Sequence, residues 1–87
     1  MMYQQLYQNY SLDAIKQQLM SEIHQWIESS GLRQIDAAQI LKITRPRVSD
    51  LVNGKIDKFS VDALIKLLER TGHQVMIAIS DLPVDQT

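Results

Sequence analysis

Only three residues, "KIT" at 42–44, separate an apolar segment ending at Leu41 from a basic one opening "RPRV". If both segments are helical, so short a link brings them directly against each other. The flanking residues suit that geometry. Ala37 and Ala38 give the segment from about Gln34 to Leu41 a small-residue face that another helix can approach closely. Ile43 is an apolar plug within the connection. Thr44 suits an N-cap, and Pro46 falls in the first turn, where its missing N–H costs nothing. Asn53-Gly54 stops the second helix of this pair.

The pair is flanked by longer elements. Leu12, Ile15, Leu19, Ile23, Trp26 and Ile27 recur at spacings of three and four, one face of a helix about five turns long. Ser11 is its expected N-cap, Asp13 favours its first turn, and Gly31 closes it. A fourth helix follows in "FSVDALIKLLERTG". Ser60 caps it, Phe59 and Leu64 are placed for a hydrophobic staple, and Gly72 ends it. The period then changes to two. In "HQVMIAIS", Val75, Ile77 and Ile79 alternate with Gln74, Met76 and Ala78, which reads as a strand. The expected layout is an N-terminal arm over residues 1–10, a helical domain over 11–72, a strand over 73–80 and a tail over 81–87.

Eighty-seven residues, 45% hydrophobic, make one small core. The absence of cysteine excludes a disulfide scaffold and a cysteine-based zinc site. It is also compatible with the cytoplasm, the expected location, since the polar start "MMYQQLYQNY" does not read as a signal peptide. The net charge of −1 conceals a polarised chain. Residues 1–41 sum to −2 and 59–87 to −2, while 42–58 carry Lys42, Arg45, Arg47, Lys55 and Lys58 against Asp50 and Asp57, or +3. Confinement of positive charge to one short stretch is the pattern of an edge that faces phosphates.

Two helices joined by about three residues, the second opening with cations, form a helix-turn-helix arrangement. Val48 and Leu51 pin the second of these helices to the core. That leaves Arg45, Pro46, Ser49 and Asp50 outward, with Arg47 to one side. An arginine in the first turn can contact guanine O6 and N7 together. Gln34, Thr44 and the corner of Asn53, Gly54 and Lys55 are placed to hold the phosphate backbone.

The string "GLRQIDAAQILKITRPRVSDLVNGK" resembles the XRE-type helix-turn-helix of phage repressors. Continued through "GKIDKFSVDALIKLLERTGHQVMIAI", it is similar to the short antitoxin subgroup related to HigA-like antitoxins, over about residues 12–80. The resemblance implies a mainly α, four- to five-helix lambda-repressor-like domain in which "RPRVSDL" reads DNA. It also implies a RelE-like ribonuclease toxin, encoded next door, as partner. Two residues depart from the pattern. Arg33 stands where a threonine cap is frequent, which weakens the start of the second helix, and Lys42 stands where glycine is common in the turn.

Nothing here points to catalysis or to a cofactor. His24 and His73 are far apart and lack a second ligand pattern. Ser49 and Asp50 are adjacent on a helix, where side chains diverge, and no histidine is placed beside them. Glycine-rich phosphate loops and paired carboxylates are missing from the sequence, so an enzyme is not expected. Met20, Met76 and Trp26 read as packing residues. The expected function is a dimeric DNA-binding repressor on a palindromic operator, with an antitoxin role added by the resemblance. The alternatives are a stand-alone regulator and a protein-interaction bundle in which Tyr3, Leu6, Tyr7 and Trp26 form a partner surface. The strand residues Val75, Ile77 and Ile79 are the expected dimer contacts, because a lone strand leaves its backbone groups unpaired.

Overall fold

The computed structural model describes residues 11–79 and Asp81. The expected arm over 1–10 and nearly all of the tail lie outside the described residues. Four α-helices occur among the described residues: α1 over Leu12–Ser30, α2 over Gln34–Leu41, α3 over Arg45–Val52 and α4 over Val61–Arg70. A single 3₁₀ turn, Ile56–Lys58, lies between α3 and α4, where the sequence carries no periodic signal.

Local chemistry accounts for the helix ends. The Ser11 hydroxyl accepts from the Ala14 N–H at 3.2 Å and the Ser60 hydroxyl from the Ala63 N–H at 3.1 Å. Each satisfies one of the N–H groups that a helix start leaves open. Gly31 closes α1 in the left-handed region at φ 68°, as the absence of a Cβ permits. Phe59 and Leu64 are both buried in the core, consistent with the expected staple.

The core is one cluster. Met20, Ile23 and Ile27 of α1 meet Ala37, Ala38 and Leu41 of α2, Val48 and Leu51 of α3, Phe59, and Leu64, Leu67 and Leu68 of α4. Trp26 is half-buried at its margin rather than inside it. The apolar stripe of α1 is longer than the surface available to cover it. With 19 residues against 8 for α2 and for α3 and 10 for α4, α1 leaves Leu12 61% exposed. No described helix is long and apolar enough to cross a membrane.

Within this single chain, residues 73–79 take no strand. The alternation expected to put Val75, Ile77 and Ile79 on one face is split: Val75 packs against the core, whereas Ile77 is 75% and Ile79 92% exposed. A strand needs a ladder partner, and the described residues offer none.

Lys42 is the one non-glycine with positive φ among the described residues, at φ 58° and ψ 43°. It ends α2 by donating its backbone N–H to the Ala38 carbonyl, and the Ile43 N–H reaches the same oxygen at 3.1 Å. A side chain in this region costs about 1–2 kcal/mol, partly offset by the greater chain entropy glycine loses on folding. Lys42→Gly is therefore expected to stabilise the fold by up to ~1 kcal/mol and to raise Tm by about 2–6 °C. Thermal melting followed by circular dichroism checks this. A lower Tm would mean that the lysine stem contributes more through packing than its backbone loses through strain.

Candidate nucleic-acid interface

The α2–α3 pair is built as its composition demands. Ala37 and Ala38 are buried where the helices meet, so α3 can lie close against α2. The short turn keeps Ile43 partly packed on the core. α3 is held from beneath by Val48 and Leu51, both buried. At 100° per residue that fixes which side chains face away. Arg45, Pro46 and Asn53 are exposed, and Ser49 and Asp50 are half-buried on the same outward side. The Asn53 Nδ2 donates to the Ser49 Oγ at 3.3 Å, so these two present one polar unit at the far end of α3.

Neither helix start of this pair carries a side-chain cap. Thr44 occupies the N-cap position of α3 with extended backbone, but its hydroxyl makes no capping hydrogen bond. The cap expected of it is positional only. Arg33 precedes α2 and likewise supplies no cap; its guanidinium instead binds Asp36, with Nε at 2.9 Å from Oδ2. The hydrogen bond to Asp36, and then the carboxylate charge, push the Arg33 pKa above its ordinary value. No side chain caps the first turn of α2; its Asp36 and Ala37 N–H groups bond the Arg33 carbonyl, and those of half-buried Gln34 and of Ile35 are left without a capping acceptor. Open helix starts of this kind suit phosphate oxygens.

The cations lie along the chain on either side of α3. Lys42 in the turn, Arg45 at the start of α3, and Lys55 and Lys58 beyond its end are all exposed. The Arg45 side chain makes no hydrogen bond or ion pair with any described residue. Lys55 is set by its backbone, whose N–H donates to the Asp50 carbonyl at 3.0 Å, next to the Gly54 N–H on Leu51 at 3.1 Å. Of the expected site residues, Thr44, Arg45, Pro46, Ser49, Asp50 and Asn53 lie on α3 or at its two ends and Lys55 just beyond it, whereas Gln34 opens α2. Arg47 differs. Its guanidinium lies 4.2 Å from the centre of the Phe59 ring, and Nη1 donates to the Lys58 carbonyl at 3.4 Å.

One contributor had no sequence signal. Arg70, at the end of α4, donates from Nη1 to the Leu41 carbonyl at 2.8 Å. It satisfies an acceptor that the end of α2 leaves open and places a cation at the negative pole of that helix. The partners are 29 residues apart, beyond the reach of any local pattern. The histidines stay peripheral: His24 pairs with Glu28 at 3.5 Å along α1, and no group of metal-ligating side chains forms among the described residues.

Comparison with known proteins agrees with this geometry. A family model described as a helix-turn-helix domain matches residues 7–80. A solved structure assigned as an XRE family transcriptional regulator is similar to this chain at 33% identity and a TM-score of 0.77. The match covers 87% of this chain and 85% of that one. None of the curated proteins matches the sequence.

Proposed function

The chain belongs to the XRE-type helix-turn-helix family, and from that premise we propose that it is a sequence-specific DNA-binding repressor acting as a homodimer. The observation that carries this reading is the first turn of α3. Arg45 is exposed and its side chain forms no hydrogen bond or ion pair with a described residue, while Val48 and Leu51 behind it anchor the helix. A helix held in this way can lie in the major groove with Arg45 at a guanine edge, while the surrounding lysines and open helix starts take phosphates.

The dimer is supported by the C-terminal segment. Met76, Ile77 and Ile79 are exposed apolar side chains on a stretch whose backbone forms no ladder with any described residue. A second copy of the same segment, paired antiparallel across a two-fold axis, supplies both the ladder and the cover. The operator then has two half-sites about 34 Å apart, or a multiple of that.

Arg45→Ala is expected to weaken operator binding by about 1–3 kcal/mol and to relax the preference at one base pair of each half-site. Loss of Lys55 should instead weaken all sequences alike and reduce the salt slope. Fluorescence anisotropy against the DNA upstream of its own gene, with a scrambled duplex beside it, measures both. Unchanged affinities for the two duplexes in Arg45→Ala would assign DNA reading to another element, and no shift by the wild type would leave an interaction bundle.

We also propose an antitoxin role in a type II toxin–antitoxin pair, with a RelE-like ribonuclease as the protein partner. Its support is the resemblance of residues 12–80 to HigA-like antitoxins. Co-expression with the product of the adjacent gene, followed by co-purification and a translation assay, tests it. If no such complex forms, the stand-alone regulator remains.

A further inference from the structure

The corner after α3 carries two of the exposed cations, and it is held at both ends. Its near end hangs from the last turn of α3 through the backbone N–H groups of Gly54 and Lys55. Its far end is fixed differently. Phe59 is 3% exposed and anchored in the core, and Arg47 of α3 reaches across to it. The guanidinium lies within the ~6 Å over which a ring face attracts a cation, and it donates to the carbonyl of Lys58. These two contacts occupy Arg47 on the flank of α3, away from its outward side.

We propose that Arg47 is a positioning residue for DNA binding rather than a reader of DNA. By clamping Phe59 and the Lys58 carbonyl to α3, it holds Lys55 and Lys58 in register with Arg45, so that base edge and phosphates are met by one rigid unit. Without the clamp the far end of the corner keeps the burial of Phe59, the packing of Ile56 and the backbone bonds of its 3₁₀ turn, but loses the Arg47 link to α3, and ordering the two lysines on the duplex costs additional entropy. The inference rests on the DNA-binding reading above and deepens it.

The test uses the full chain and a duplex that the wild type enriches from a random-sequence pool. Arg47→Met keeps a stem over the ring and removes the charge. It is expected to weaken binding to the enriched duplex and to random DNA alike, by about fivefold, with base preference unchanged. In a chain already carrying Lys55→Gln and Lys58→Gln, the same substitution should change affinity by less than about twofold, because the groups it positions are gone. A fivefold loss that persists in that background would show that Arg47 itself touches DNA. Loss of preference at a single base pair would make it a base reader, and an unaltered affinity in the wild-type background would make the clamp irrelevant. Each of these outcomes overturns the proposal. A second arm needs no DNA. Amide exchange at Lys58 and Phe59, whose N–H groups bond the carbonyls of Lys55 and Ile56, should quicken about fivefold in Arg47→Met while α1 is unchanged. Unaltered exchange there overturns the clamp. A wild-type chain that enriches no duplex overturns the DNA reading and this inference with it, and the exchange arm distinguishes that case from a failed clamp.

Discussion

Ile77→Lys is expected to convert the protein to a monomer and to lower operator affinity by about a hundredfold or more, while the helical domain stays folded. Ile77 is 75% exposed in the single chain, so a lysine there costs the monomer little. Within an antiparallel pair across a two-fold axis, the same lysine is brought close to its own copy in an apolar seam. Two like charges are then desolvated together. The loss of DNA affinity follows from linkage of the half-sites, since joining two readers raises apparent affinity by roughly 10²–10⁴. Sedimentation and anisotropy on one preparation read both effects. Truncation after Gly72 should behave alike, with some added loss of stability because Val75 packs on the core. A variant that stays dimeric and binds normally would move the interface to the helices, where Leu12 on α1 and Ile35 and Ile40 on α2 are also exposed.

The second large effect lies beneath the recognition helix. Leu51→Ala is expected to cost about 2–5 kcal/mol, by removing apolar contact and leaving a cavity. Leu51 is fully enclosed, and with Val48 it is one of the two buried side chains of the eight-residue α3, with Val52 packing on the core from the edge. A chain of this size has a total stability of roughly 4–13 kcal/mol, so much of the folded population could be lost. Urea unfolding followed by helical signal measures the loss. DNA binding should fall in parallel with the folded fraction, unlike in Arg45→Ala, where the fold is untouched. A loss below about 1 kcal/mol would show that α3 is held by its connections rather than by this contact.

The contrast between Leu51 and Arg45 shows how much of the candidate site could be read before any coordinates. A helical period of 3.6 with Val48 and Leu51 inward leaves one outward side for Arg45, Pro46, Ser49 and Asp50; in the structure Arg45 and Pro46 are exposed and Ser49 and Asp50 half-buried. The resemblance marked Lys42 as standing where glycine is common, but whether its backbone is left-handed was settled only by the structure. The caps at Ser11 and Ser60 formed where expected; the hydroxyl of Thr44 did not engage. Whether an N-cap side chain bonds depends on its rotamer and on competing partners, which residue type alone does not specify.

What the sequence determined by itself is what depends on neighbours within about four positions: the extent of each helix, its buried side, its ends at Gly31 and Ser60, and the outward face of α3. These follow from the fixed geometry of the helix and from hydrogen bonds that close within one turn. The tertiary structure alone decided where the elements cross, and therefore which long side chains find distant partners. It turned Arg47 toward Phe59 and Lys58, carried Arg70 to the carbonyl of Leu41, and left Leu12 beyond the end of the core. It also separated Val75, which packs, from Ile77 and Ile79, which do not. Arginine and lysine stems span several ångströms with little rotameric preference, so their contacts are selected by whichever carbonyl or ring the fold brings within reach. A periodic pattern identifies the face such a residue stands on, and only the crossing of the helices supplies its partner.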